Sequence, residues 1–87
     1  MLDERRFEKT LERMRSKTLE RLRAGALPSS LRAERAFRAA GTGTACSGCG
    51  DAIGRLESAY YVGLAGAEAL RLHIICHETW IRFKQPA

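Results

Sequence analysis

The apolar positions in the opening 24 residues fall on one line. Phe7, Leu11, Met14, Thr18 and Leu22 are spaced 4-3-4-4, the repeat that draws a mainly apolar stripe along an α-helix. No Gly or Pro interrupts Asp3 to Ala24, and Leu, Arg, Glu, Lys and Met, all good helix formers, dominate it. The pattern predicts a long helix, and so narrow a stripe predicts docking on another element rather than burial inside a core. Gly25 is placed to end it. Leu27-Pro28-Ser29-Ser30 reads as a break followed by an N-cap, at Ser29 or Ser30. Leu31 to Ala40, with Leu31, Phe37 and several alanines, predicts a second, shorter helix, and Gly41-Thr42-Gly43-Thr44 a linker.

After the linker the period changes. Ser58-Ala59-Tyr60-Tyr61-Val62-Gly63-Leu64 is rich in strand formers, and Ala65-Gly66-Ala67-Glu68 reads as a turn. Ala69 to Ile74 alternates, with Leu70, Leu72 and Ile74 on one face and Arg71 and His73 on the other. This is the pattern of a hairpin. Cys76 to Lys84 then reads as helix, with Cys76, Trp80 and Phe83 at i, i+4 and i+7 on one buried side. The expected class is α+β: a basic helical segment over residues 1–40, with one long and one short helix, followed by a lobe over residues 41–87.

Composition sharpens the contrast between these halves. The chain has 87 residues and a net charge of +5. Residues 1–45 carry eleven Lys/Arg against six Asp/Glu, whereas residues 46–87 carry four of each. All the excess positive charge is therefore in the first half, while every cysteine and both histidines lie in the second. No stretch approaches the roughly 18 apolar residues of a membrane helix. Met1-Leu2-Asp3-Glu4-Arg5-Arg6 has no apolar run behind it, so no secretory signal and a cytoplasmic location are expected. Cysteines in that compartment are more often metal ligands or catalytic groups than disulfides.

The three cysteines stand in the arrangement Cys46-x2-Cys49-x23-His73-x2-Cys76. Zinc takes four soft or borderline ligands in a tetrahedron, and a Cys-x2-Cys pair supplies two from one tight turn. Gly48 and Gly50 suit such a turn, where the backbone folds closely and positive φ is needed. His73 and Cys76 straddle the end of the second strand and the first turn of the helix, whose N–H groups favour the Cys76 thiolate. His77, four residues after His73, is the alternative fourth ligand. The expected metal is Zn2+ in a structural role, because a lobe of about 42 residues is too small to fold reliably on apolar burial.

The order of turn, hairpin and helix N-terminus resembles a treble-clef zinc site. The string Cys46-Ser47-Gly48-Cys49-Gly50-Asp51-Ala52-Ile53, with the later Leu72-His73-Ile74-Ile75-Cys76-His77-Glu78-Thr79-Trp80, is similar to small bacterial proteins carrying a CxxCG…HxxC…W pattern. It covers residues 46 to about 83. Cys46-x2-Cys49-Gly50-x2-Ile53 behind a helical N-terminus also resembles, in part, the DksA/TraR-type zinc-finger regulators, which bind RNA polymerase. The second pair departs from that family, which typically has CxxC at a shorter interval, so its activity is not carried over.

The charge of the first half is ordered too. Arg5, Lys9, Arg13, Lys17 and Arg21 form an unbroken i, i+4 row, about 24 Å long at 1.5 Å per residue. Arg32, Arg35 and Arg38 continue it on the expected second helix. Two readings follow: a solvated face laced with salt bridges, or a surface for the phosphates of DNA or RNA, to which the arginine fork is suited. Tyr60 and Tyr61 are candidates for stacking on a single strand, but consecutive strand residues point opposite ways, so at least one belongs to the core. The expected function is non-catalytic: a small zinc-stabilised regulator that binds nucleic acid or takes part in transcription. The alternative is a protein-binding module, with RNA polymerase or a second copy as partner. No membrane contact and no small-molecule substrate are expected.

Overall fold

The computed structural model describes residues 4–28, 33–64 and 67–84, without the side chains of residues 4–9, 33, 34 and 67. The Ser29/Ser30 cap, Leu31, Arg32 and the first two residues of the expected Ala65–Glu68 turn lie outside the described residues, as do the side chains of Arg5, Phe7 and Lys9, while Ala67 and Glu68, also expected in that turn, open a strand instead. The architecture is α+β, in the order α1 (Glu4–Arg23), β1 (Ala33–Ala40), β2 (Ser58–Leu64), β3 (Ala67–His73) and α2 (Ile74–Phe83). The strands form one antiparallel sheet in the order β1-β2-β3. Among the described residues no helix is long and apolar enough to cross a membrane.

The long helix ends as its sequence predicts. Gly25 adopts φ 81°, the Gly25 N–H donates to the Leu22 carbonyl at 3.3 Å and the Ala26 N–H donates to the Arg21 carbonyl at 2.9 Å. This paired closure satisfies the last carbonyls and turns the chain back on the helix. Leu27 follows directly and is buried, and the Pro28 carbonyl accepts the indole N–H of Trp80 at 2.6 Å. The helix stripe docks on α2: Thr18 and Leu22 are buried and Met14 packs at the margin. Thr18 tolerates full burial because its hydroxyl donates to the Met14 carbonyl at 2.8 Å.

Residues 33–40 correct the expected second helix, because they are a strand. β1 pairs with β2 from Ala33 opposite Leu64 to Ala40 opposite Ser58. Alanine and arginine favour a helix locally, but a helix of ten residues is marginal without packing. Pairing with β2 gives the segment a full ladder, a ring contact between Phe37 and Tyr61 and a hydrogen bond from the Tyr61 hydroxyl to the Ala40 carbonyl at 2.8 Å. The sheet thus crosses the boundary drawn at residue 40. The Gly41–Thr44 stretch is tied down rather than a free linker, since Gly43 and Thr44 exchange backbone hydrogen bonds of 2.8 Å with Ile53.

The hairpin of β2 and β3 follows its alternation. Val62, Leu70 and Leu72 are buried on one face, with Trp80 of α2, Leu22, Leu27 and Ile53 completing the core. Helix α2 begins at Ile74, two residues earlier than expected, so Ile74 leaves the strand pattern. Its buried side is Cys76, Thr79 and Trp80. Phe83, expected in the core, is 54% exposed, with the Arg82 guanidinium 6.0 Å from its ring centre.

Candidate metal centre

Cys46 and Cys49 lie on a tight turn between β1 and β2. The Cys46 N–H donates to the Asp51 carbonyl at 2.8 Å, and the Gly50 N–H donates to the Cys46 carbonyl at 3.0 Å. Gly50 takes φ 86°, a conformation that costs other residues about 1 kcal/mol or more. Gly48 is needed for closeness instead. A Cβ there would stand 2.7 Å from the Thr18 hydroxyl and 3.0 Å from the Cys76 Cβ. The turn is fixed to the outer edge of β3: the Ser47 N–H donates to the Arg71 carbonyl at 2.7 Å, and the Arg71 N–H donates to the Ser47 hydroxyl at 3.1 Å.

That docking brings the turn to His73, the last residue of β3, and to Cys76 in the first turn of α2. The Cys46, Cys49, His73 and Cys76 side chains are all buried, and their donor atoms lie within 4.8 Å of one another. His73 Nδ1 is 3.3 Å from Cys49 Sγ and 4.0 Å from Cys76 Sγ. A tetrahedral zinc ion with ordinary bond lengths sets sulfur and nitrogen about 3.6 Å apart, between those two values. Three thiols and one imidazole, gathered in a buried place, fit a structural Cys3His zinc site. Four protein donors complete a tetrahedral shell and leave no position for water or substrate.

The surroundings are polarised toward sulfur. The N–H groups of Gly48 and His73 donate to Cys46 Sγ at 3.3 and 3.4 Å. The Cys46 thiol is pulled down to about 4, first by the hydrogen bond from the Cys76 thiol and then by backbone N–H groups, against the opposing effect of burial. Cys76 is pushed up, because it donates to Cys46 and because it is buried. Burial also raises Cys49. Ligation needs all three as thiolates, so metal and protons compete for the site.

Glu57, which the spacing of the ligands did not single out, completes the histidine. Its carboxylate lies 3.2 Å from His73 Nε2. With the Nε2–H donated to Glu57, Nδ1 is left as the free donor atom facing the cysteines, the arrangement that fixes tautomer and ring orientation at metal-bound histidines. His77 stands outside the cluster. Its ring stacks on Tyr60, with centroids 3.9 Å apart, and burial lowers its pKa.

The basic row of α1 turns toward the same turn. Arg13 pairs with Asp51 at 2.7 Å and Lys17 lies 4.0 Å from the same carboxylate. Arg21 donates to the Ser47 carbonyl at 3.3 Å, and its guanidinium lies against Gly50. Three of the five members thus reach the Cys46–Asp51 turn while remaining partly in solvent. Arg35 and Arg38 are exposed on β1, where their odd spacing sends them to opposite faces of the sheet. No protein-family model, curated protein or solved structure matches the chain.

Proposed function

We propose that the chain is a non-catalytic zinc-binding module in which zinc holds the fold and the basic surface recognises nucleic acid, in the manner of a transcription-associated regulator. The observation that carries the zinc half is the buried set of Cys46, Cys49, His73 and Cys76 with donor atoms within 4.8 Å. The first ligand pair comes from a turn and the second from the junction of hairpin and helix, which supports the treble-clef-type resemblance. A site with four protein donors has no open coordination position, which supports a structural rather than a catalytic ion. The nucleic-acid half is supported by the excess of positive charge in residues 1–45 and by the exposed arginines of β1.

Cobalt(II) substitution tests the ligand set. The expected outcome is one metal per chain with the absorption of a tetrahedral, thiolate-ligated ion, lost when Cys46, Cys49 or Cys76 is changed to Ser and kept when His77 is changed to Ala. A spectrum without thiolate bands would overturn the reading. A second reading, a protein-binding module, is favoured by Ile81 and Phe83, which are 47% and 54% exposed on α2. Capture of one protein partner that persists as salt rises would support it over nucleic-acid binding, which weakens steeply with salt.

A further inference from the structure

The two neighbouring tyrosines are divided by the sheet. Tyr60 points to the α2 side, where it stacks on His77. Tyr61 points the other way and meets Phe37 of β1, its cross-strand partner, with ring centroids 5.4 Å apart and planes 18° from parallel. Side chains at directly paired positions share a face. The register therefore sets three rows on the Tyr61 side: Ala39–Ala59–His73, Phe37–Tyr61–Arg71 and Arg35–Gly63. The first row is covered, since Ala59 and His73 are buried. The other two are open: Phe37 is 54% exposed, Arg35 and Arg71 are exposed, and Tyr61 and Gly63 are half-buried.

The geometry points to this open half of the sheet as a binding site for single-stranded nucleic acid, with Phe37 and Tyr61 as the stacking surface and Arg35 and Arg71 as the phosphate contacts. It rests on the nucleic-acid half of the proposed function and moves the contact from the basic helix to the sheet. Bases stack on exposed aromatic rings beside a positively charged track whatever their sequence. The paired positions of this face hold two arginines and no carboxylate. Among the described residues no acid pairs with Arg35 or Arg71. Arg71 is held by a hydrogen bond from Nε to the Ala45 carbonyl at 3.1 Å. Gly63, paired with Arg35, adds no side chain to this face beside Tyr61. A duplex hides its base faces and cannot use such rings. A second copy pairing along β1 would bring arginines together, a charge that discourages edge association.

The test uses the full zinc-loaded chain and fluorescence anisotropy. The probes are a labelled oligothymidylate of about 12 nucleotides, which covers an ordinary site size, and a duplex of equal length. The single strand is expected to bind more tightly than the duplex. Phe37→Ala and Tyr61→Leu are each expected to weaken it about tenfold, while Tyr61→Phe restores binding and Lys17→Ala changes little. Arg35→Ala should reduce the steepness of the salt dependence by about 0.7 in a log–log plot, the loss of one phosphate contact on a single strand. Zinc content and circular dichroism of each variant verify the fold. If binding survives Phe37→Ala and Tyr61→Leu but is lost with Lys17→Ala, the sheet site is wrong and the basic helix is the contact. If neither probe binds at low salt, the nucleic-acid reading falls with it, and the metal content reports on the zinc role separately. A dimer in sedimentation that Phe37→Ala abolishes would make this face a self-interface and overturn the site.

Discussion

The two edges of the sheet are built differently. At the β3 edge, backbone and side-chain hydrogen bonds join Ser47 to Arg71, the His73 N–H donates to Cys46 Sγ, and the four candidate ligands gather under cover. At the β1 edge, every described side chain from Arg35 to Ala40 is exposed, and the strand is held by its ladder with β2, the Phe37–Tyr61 contact and the Tyr61 hydroxyl. One edge concentrates what stabilises the chain, and the other leaves chemistry facing solvent. A metal held by those four residues would let a fold of this size reach that division, because such a crosslink lessens the need for apolar cover on both sides.

Removal of the metal is the severest test of that contrast. Structural zinc contributes an apparent 10–16 kcal/mol or so in small finger peptides. That is as large as the roughly 5–15 kcal/mol by which ordinary domains are stable. A strong chelator is expected to unfold the hairpin and α2 together, read by far-UV circular dichroism and by the emission of Trp80, which is fully buried. An unchanged spectrum with the metal shown to be gone would mean that the β3 edge stands on packing alone. Lower pH should act in the same direction, since protons compete with metal for the thiolates.

A single ligand should reproduce most of that loss. Cys76→Ser leaves three donors in a buried place and is expected to abolish stoichiometric zinc and lower the midpoint of thermal unfolding by well over 10 °C, given about 4–8 °C per kcal/mol for a domain of this size. Phe37→Ala, at the other edge, is expected to shift it by only a few degrees, because exposed positions usually change stability by about 0.5 kcal/mol or less. Equal effects from the two substitutions would erase the distinction between the edges.

Those two edges were also unequally legible in the sequence. Cys46, Cys49, His73 and Cys76 stand out because such residues are few and come in short-spaced pairs, and the alternation around Leu70 and Leu72 marks a strand directly. β1 was hidden because Ala33 to Ala40 is made of helix formers, and its pairing with β2 closes a loop of seventeen residues whose reward is non-local. The basic row is visible in the sequence as a spacing, but Asp51, which pairs with Arg13, is 38 residues away and only the fold joins them. Phe83 fits the helical spacing of Cys76 and Trp80 yet lies near the end of α2, beyond the cover that buries them.

Glu57 gives a smaller, more specific test of the metal edge. Sixteen residues before His73, it meets the ring because it directly precedes β2, whose Ala59 pairs with His73. Changing a carboxylate that orients a metal-bound histidine typically costs 10–100-fold in metal affinity. Glu57→Gln is expected to fall in that range in competition with a chromophoric zinc chelator, while far-UV circular dichroism of the zinc-loaded chain stays unchanged. An affinity equal to that of the unaltered chain would show that His73 is oriented by its strand and by Cys46 rather than by Glu57.

The weakest expected effect decides what the basic helix contributes. Arg13 and Asp51 meet at 2.7 Å, but their side chains remain 57% and 39% exposed, and exposed ion pairs contribute about 0–1 kcal/mol. A double-mutant cycle of Arg13→Ala and Asp51→Ala, read by denaturant unfolding of the zinc-loaded chain, is expected to give a coupling of about 0.5 kcal/mol that shrinks as salt is raised. The stripe of Met14, Thr18 and Leu22 would then be what holds α1 to the rest, with the charges setting its register along the metal turn. A coupling several times larger and insensitive to salt would give the opposite result. The row from Arg13 to Arg21 would be part of the clamp around the metal, and its charge would be spent inside the molecule rather than offered to a partner.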